Sequence, residues 1–140
     1  MSVFNEWLTA YSADAAAIDK GHDAMLALIH DLSGALAAGK APAEVTPKLH
    51  ALAAEMRSHF EEEEQILERN GFPELEAHQA EHGAIREELD RIEAALKAKP
   101  DEIPAELGAF LTNTLAAHMA DENEKYLQHI SGIAEKLALL

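Results

Sequence analysis

Residues 75–97 have the sequence LEAHQAEHGAIREELDRIEAALK, and the spacing within this stretch decides the fold. Apolar residues and histidines recur at intervals that alternate between three and four residues, which places them on one face of an α-helix. The face consists of Leu75, His78, His82, Ile85, Leu89, Ile92 and Leu96. The pattern predicts a helix over about residues 73–97 with this face buried.

The same period recurs in three more segments. It predicts helices over about residues 14–38, 43–69 and 104–137. Glycines and prolines separate these segments, as is typical of helix ends and tight connections. Four helices of this length with short connections predict an all-α protein, an antiparallel up-down-up-down four-helix bundle.

The N-terminal segment has a weaker period than the four helical segments. Residues 1–13 contain Phe4, Trp7 and Tyr11 at mixed spacing. We expect an ordered N-terminal arm whose aromatic side chains cover one end or seam of the core. The chain of 140 residues has the length of one compact domain, so we predict a single domain over residues 1–140.

Composition excludes several classes of function. The chain has 26 acidic and 11 basic residues, for a net charge of −15, so phosphate backbones and anionic lipid would repel it. It has no cysteine, and therefore no disulfide or thiolate metal site. No run of apolar residues is long enough to span a membrane, and the first residues do not resemble a signal peptide. We expect a cytoplasmic protein that binds neither nucleic acid nor membrane.

Polar residues interrupt the apolar stripes at positions where the helical period places side chains in the core. They are His22, His59, Glu63, His78, His82, His118 and Glu122. An ionised carboxylate in a dry core costs several kcal/mol unless it is paired or bound to a metal. Imidazoles and carboxylates that converge from four helices remove that cost when they bind metal ions. The pattern therefore predicts a metal site within the bundle.

Spacing indicates how many metal ions the site holds. Three pairs of these residues lie four positions apart, one turn along the same helix face: His59 and Glu63, His78 and His82, His118 and Glu122. Seven donors exceed what one tetrahedral ion needs, whereas two ions that share carboxylate bridges would use them all. We therefore predict a di-metal centre, and its five imidazoles favour iron.

The remaining histidines and the neighbouring glutamates fit ordinary roles. His30 and His50 fall off the stripes and are predicted on the surface, whereas His129 is in phase and is predicted to be packed or hydrogen-bonded. In the run of glutamates at 61–64, only Glu63 is in phase with the stripe. The other three are predicted to form a solvated face.

Several short motifs follow one another in a characteristic order. They are Phe4 and Trp7, residues 18–22 (IDKGH), residues 59–64 (HFEEEE), residues 71–82 (GFPELEAHQAEH) and His118. With these motifs the chain resembles the hemerythrin family, specifically the bacterial hemerythrin-like proteins, over essentially its whole length. Residues 59–64 resemble the family's HFxxEE pattern, and residues 71–82 resemble its aromatic-Pro-x4-His-x3-His segment. The joint occurrence of these two motifs at this separation is specific.

The resemblance implies a non-haem centre of two iron ions (Fe2+/Fe3+) with a bridging oxygen or hydroxide, and dioxygen as its ligand. It implies that one iron is held by His78, His82 and His118, the other by His22 and His59, and that Glu63 bridges them. The iron with two histidines would keep an open position for dioxygen. Asp19, one turn before His22, would then fix the tautomer of that ring.

The chain departs from the family pattern at one ligand position. Oxygen-carrying members have Asp five residues after the last histidine and Tyr three residues later, whereas this chain has Asn123 followed by Tyr126. An asparagine offers one neutral oxygen and bridges poorly. On a regular helix, a residue five positions after His118 points about 140° away from it, and a residue four positions after points about 40° away. We therefore predict Glu122 as the second bridge without a π-bulge, with Asp121 and Asn123 as alternatives.

Several functions are compatible with such a centre. The first is a dioxygen-binding protein that acts as a carrier, store or sensor, and we favour it over an enzyme. The second is a di-iron enzyme, such as a peroxidase or a reductase of dioxygen or nitric oxide, with Tyr126 as a proton donor. The third is an iron-responsive or iron-handling module in which metal occupancy stabilises the fold. A purely structural bundle is the last alternative.

Overall fold

The computed structural model describes the backbone of residues 3–121 and 125, and the side chains of residues 13–121 and 125 except residue 15. Most of these residues are helical, and they include no β-strand. The helices are α1 (Val3–Ala37), α2 (Pro42–Arg69), α3 (Leu75–Ala98) and α4, which begins with Leu107–Ala109, continues as a π-helix over Phe110–Ala116 and returns to α-helix through residue 121. This confirms the all-α prediction.

The predicted N-terminal arm is not a separate element, because α1 runs without a break from Val3 to Ala37. The expected boundary near Asp14 lies inside this helix. The residues around this boundary contain no glycine or proline and include several alanines, the strongest helix former. The local sequence therefore favours a continuous helix. The aromatic side chains of Phe4, Trp7 and Tyr11 lie outside the described side chains.

Two glycines end α1 and α2 in the same way. Gly39 and Gly71 both have φ of 67°, a conformation that costs glycine little and other residues more. After α2, the amide of Gly71 donates to the carbonyl of Glu68, and the amide of Phe72 donates to the carbonyl of Leu67. These are the two hydrogen bonds of a Schellman cap, and the same pair follows α1. The predicted breaks at both places are confirmed.

The fourth helix differs from the regular helix that the sequence predicted. It begins at Leu107 and not near Pro104, whose carbonyl accepts a hydrogen bond from the Leu107 amide across the preceding turn. The π-helical stretch was not predicted. Inside it, the Thr112 hydroxyl donates to the Gly108 carbonyl and so competes for a backbone acceptor, a local effect that periodicity does not reveal. A π-helical turn holds more residues than an α-turn, and such turns are frequent near functional sites.

The helices pack around a shared core with two apolar clusters. Both α1 and α3 pack against α2 and against the π-helical part of α4. The larger cluster includes Met25 of α1 and Ile85 of α3, and the smaller one consists of Ile18, Ile66, Leu67 and Phe72. The six predicted polar positions among the described residues fall between the two clusters, so apolar side chains lie on both sides of them. None of the described helices has the length and hydropathy needed to span a membrane.

Candidate metal centre

Six of the seven predicted donors are buried and close together. They are His22, His59, Glu63, His78, His82 and His118, with exposed fractions from 0% to 8%. They form two groups, in each of which one candidate ligand atom per residue lies within 4.8 Å of the others. The three-imidazole group is His78, His82 and His118, and the mixed group is His22, His59 and Glu63. The helical period predicted this convergence correctly.

Glu63 lies between the two groups and faces both of them. Its Oε2 atom is 3.0 Å from Nε2 of His22 and 2.8 Å from Nε2 of His59, both in the mixed group. Its Oε1 atom is 2.6 Å from Nε2 of His78 and 3.5 Å from Nε2 of His82, both in the three-imidazole group. Each carboxylate oxygen therefore faces one group, the arrangement that a bridging ligand requires.

The three-imidazole group joins α3 to α4. His78 and His82 lie one turn apart on α3, and His118 reaches them from α4 just after the π-helical stretch. The Nε2 atoms of His82 and His118 are 3.1 Å apart. Two imidazoles that bind one metal ion at about 2.1 Å and at right angles would have a separation of about 3 Å, so this spacing suits a shared ion.

The electrostatics of the centre favour the protonation states that bind metals. Burial alone would raise the pKa of Glu63, but close contacts with His22, His59 and His78 hold it well below its usual range. Burial lowers the pKa of His82 to about 2 and also lowers the pKa of His118. An ionised carboxylate beside neutral imidazoles is the form in which these side chains coordinate a cation.

Hydrogen bonding within the protein does not satisfy every donor atom of the centre. Nε2 of His59 is buried and has no hydrogen-bond partner, because its close approach to Glu63 does not have hydrogen-bond geometry. A buried polar atom without a partner costs about 1–3 kcal/mol, and a metal ion would remove that cost. The nitrogen and carboxylate donors therefore fit a metal ion, and iron, zinc and manganese all accept this donor set.

A glycine in α1 allows the mixed group to form. A Cβ atom on Gly21 would lie 2.1 Å from Nδ1 of the His59 ring, closer than real Cβ atoms approach other atoms. Only glycine lets α1 come this close to α2 with the His59 ring between them. The sequence carries a signal of this contact, since a glycine inside a helical pattern usually has a packing or functional reason.

Two further carboxylates contact the outer sides of the three-imidazole group. Oε1 of Glu81 is 2.6 Å from Nδ1 of His118, and Oε1 of Glu64 is 3.7 Å from Nδ1 of His82. The prediction that Glu64 belongs to a solvated face is wrong, because its side chain is 16% exposed and faces the centre, whereas Glu61 and Glu62 are exposed. The HFxxEE pattern contains Glu64, but nothing in the sequence singles out Glu81.

An aromatic stack supports His82 from the side. The rings of Phe60 and His82 are parallel within 3° and 3.7 Å apart between centroids. Arg86 is on α3, and its guanidinium lies 5.9 Å from the centroid of the Phe60 ring on α2. The Nη1 atom of Arg86 is 3.7 Å from Oε2 of Glu64. These contacts restrict the rotation of the His82 ring. In the sequence, Phe60 stands out only as part of the HFxxEE pattern, and no sequence feature points to Arg86.

The residues proposed for the second bridge are only partly described. Asp121, one of the alternatives, has a side chain 56% exposed and forms an ion pair with Lys125 at 3.3 Å. Glu122 and Asn123 lie outside the described residues, as do Tyr126 and His129. The choice between Glu122 and Asn123 therefore stays a prediction.

Surface clefts approach the centre beside three of its imidazoles. A cleft of about 360 Å³ between α1 and α4 reaches His22, and its lining includes Asp19 and the exposed side chain of Leu26. A small cleft of about 60 Å³ reaches His78, and one of about 370 Å³ reaches His118.

Asp19 is exposed, and its predicted role in fixing the tautomer of His22 stays a prediction. His30 and His50 are exposed, as predicted.

The helices and the two donor groups define a class of protein, a helical protein with a metal-capable centre of imidazoles and carboxylate in its core. Comparison with protein-family models identifies the family: the model of the hemerythrin HHE cation-binding domain matches residues 13–130. Because this match covers most of the chain, the protein belongs to the hemerythrin HHE cation-binding family. Searches of curated proteins and of solved structures returned no match.

Proposed function

We propose that this protein is a non-haem di-iron protein that binds dioxygen as a carrier, store or sensor. The observation that carries the proposal is the position of Glu63, which directs one carboxylate oxygen to each of two donor groups in a buried, apolar environment. A single metal ion would not need two groups on opposite sides of one carboxylate. Membership of a cation-binding family supports the metal, and the nitrogen-rich donor set supports iron.

The two groups would divide the iron ions between them. The three-imidazole group would hold one ion, His22 and His59 of the mixed group would hold the other, and Glu63 would bridge them. The second bridge would come from Glu122. Asp121 is a weaker candidate because its side chain is exposed and paired with Lys125.

The order of the apolar clusters supports an up-down-up-down bundle within a single domain of 140 residues. Along α1 the small cluster precedes the centre and the large cluster follows it, as Ile18, His22 and Met25 show. Along α2 the order is reversed, from Met56 to Ile66. From the α2–α3 turn through α3, the small cluster again comes first, at Phe72, and the large cluster follows the centre, at Ile85. In α4 the large cluster comes first and precedes His118. Alternation of this kind is expected of antiparallel neighbours.

Bound iron would supply the electrons for reversible binding of dioxygen. The protein would supply an apolar wall on one side of the centre: Leu115 and Met119 of α4 and Met25 of α1 are buried in the large cluster, which adjoins the centre. Excluding water and proton donors protects a reactive complex from side reactions. Neutral imidazoles would remain available as ligands at neutral pH, since burial lowers the pKa of His82 and His118.

A di-iron enzyme, such as a peroxidase or a reductase of dioxygen or nitric oxide, is the second candidate. The observation that favours it is the set of clefts beside His22, His78 and His118, which gives a substrate or reductant a path toward the centre. An enzyme would consume reductant continuously in the presence of its substrate. A dioxygen binder would return to its ferrous state when oxygen is removed.

The test is a visible absorption spectrum of anaerobically reduced, iron-loaded protein before exposure to air, after exposure and after deoxygenation. Iron content is measured on the same sample. A charge-transfer band that appears with oxygen and disappears on its removal, at two irons per chain, is the expected result. Two bound irons without a reversible band would contradict the dioxygen-binding proposal and favour the enzyme or an iron-handling role.

A further inference from the structure

An exposed carboxylate on α3 contacts a buried imidazole of the centre. Oε1 of Glu81 lies 2.6 Å from Nδ1 of His118, which is the atom on the side of the ring away from the other imidazoles. The side chain of His118 is 2% exposed, whereas that of Glu81 is 46% exposed. One end of this contact is therefore in solvent, and the other is in the core.

The contact determines which nitrogen of His118 carries the proton. A carboxylate accepts hydrogen bonds and cannot donate them when ionised, so Nδ1 of His118 must be the donor. In the neutral ring, Nε2 then carries the lone pair, and Nε2 is the atom that lies 3.1 Å from Nε2 of His82. The hydrogen bond thus leaves a lone pair on the side of the ring that faces the three-imidazole group.

The position of Glu81 in α3 makes this contact a link between two helices. It directly precedes His82 and follows His78 by three residues, so one helix supplies two imidazoles and orients the third. Side-chain contacts that are open to solvent at one end contribute little to stability. The effect of this pair therefore lies in the orientation of the His118 ring.

We propose that Glu81 is a positioning residue of the metal centre, which holds the His118 ring in the tautomer and rotation that present Nε2 to the metal bound by the three-imidazole group. This inference rests on the proposed function, since it requires that the group bind a metal. Carboxylates placed behind metal-binding histidines typically raise metal affinity 10- to 100-fold. An exposed residue can be replaced without disturbing the apolar core, so the effect is measurable in a folded protein.

The experiment compares the full chain with Glu81→Ala, Glu81→Gln and the matched control Glu87→Ala. Glu87 is an exposed glutamate on the same helix and tests the loss of one negative charge. Zinc alone is the probe, because it is diamagnetic and accepts the same donors as iron. Zinc affinity is measured by calorimetric titration, and the protonation of the His118 ring by nitrogen-15 imidazole spectra of the zinc-loaded protein.

We expect Glu81→Ala to weaken one zinc site by about 10- to 100-fold and to shift the His118 Nδ1–H resonance. Glu81→Gln retains a carbonyl acceptor, so it should recover part of the affinity and of the shift. Glu87→Ala should match the wild type. The melting temperature of the metal-free Glu81→Ala protein should change by no more than about 3 °C, which separates positioning from a general loss of stability.

The outcomes that would overturn the positioning role differ from the outcome that would overturn the metal centre. Zinc binding that is equal in wild type and Glu81→Ala, with an unchanged His118 Nδ1 resonance, would overturn the positioning role. An equal loss of affinity in Glu87→Ala would overturn it as well, because the effect would then be one of net charge. A wild-type protein that binds neither zinc nor iron would instead overturn the proposed metal centre.

Discussion

The two donor groups of the centre are built in opposite ways. The three-imidazole group has only ring nitrogens as its donors, and its carboxylates, Glu64 and Glu81, lie outside it toward the surface. The mixed group has its carboxylate, Glu63, inside and depends on the close approach of α1 at Gly21. Substitutions of surface residues can therefore change the orientation of the rings in the three-imidazole group. The mixed group is instead sensitive to the packing of the helix backbones.

The largest effect should follow from removing the carboxylate that the two groups share. Glu63→Ala deletes the only described oxygen donor that faces both groups, so bound metal should fall from two ions per chain to at most one, with about 100-fold or greater loss of affinity. Glu62→Ala is the matched control, because Glu62 is the exposed neighbour in the same run. Cobalt titration of both variants measures the difference. Two ions bound at wild-type affinity in Glu63→Ala would show that Glu63 does not bridge.

A methyl group at Gly21 should separate the two groups. Because the new Cβ would lie 2.1 Å from the His59 ring, Gly21→Ala should lower the free energy of unfolding of the metal-free protein by about 1–3 kcal/mol and weaken metal binding at the mixed group first. Gly83→Ala is the matched control, since nothing lies within 4 Å of a Cβ there. It should stabilise α3 by up to about 1 kcal/mol. Urea unfolding and cobalt titration measure both effects, and equal stability of the two variants would contradict the close contact.

Acid should destabilise the metal-free protein through the three-imidazole group. The pKa of His82 is about 2 in the folded protein and near 6.5 when the ring is in water, so between these values the unfolded chain binds a proton that the folded chain does not. Stability therefore falls as pH falls, by about 2 kcal/mol between pH 7 and pH 5 for this group alone. The lowered pKa of His118 acts in the same direction.

Urea unfolding of metal-free protein at pH 7, 6 and 5 measures this dependence. His82→Gln removes the titrating ring, so its stability should vary less with pH than that of the wild type. Identical slopes in the two proteins would mean that His82 is not held neutral in the folded state.

The smallest effect should come from the surface side of the aromatic stack. Arg86→Ala removes the guanidinium beside Phe60 and Glu64 but leaves the stack of Phe60 on His82 in place. We expect a loss of about 0.5–1 kcal/mol in stability and only a small change in metal affinity. Arg91→Ala, at an exposed position on the same helix, is the control. A change in affinity as large as that of Glu81→Ala would show that Arg86 also orients a ligand.

The predictable parts of the fold and site are those that depend on one helix at a time. The alternation of three and four residues placed His78 and His82 on the buried face of α3, and Gly39 and Gly71 marked the ends of α1 and α2. The start of α4 and its π-helical stretch were not predictable, because the spacing of apolar residues does not show which backbone hydrogen bonds form. The contact of Glu81 with His118 joins two helices, and neither sequence segment contains a sign of it.

The sequence by itself determined that the chain is helical, which residues lie on the buried faces, and which family it belongs to. These properties follow from periodicity, from the distribution of glycine and proline, and from motifs of fixed spacing. Only the tertiary structure decided that Glu63 faces two donor groups, that His59 lies against Gly21, and that Glu64 and Glu81 contact the outer nitrogens of His82 and His118. The physical reason is that these contacts depend on the separation and rotation of neighbouring helices, which the packing of the whole core sets.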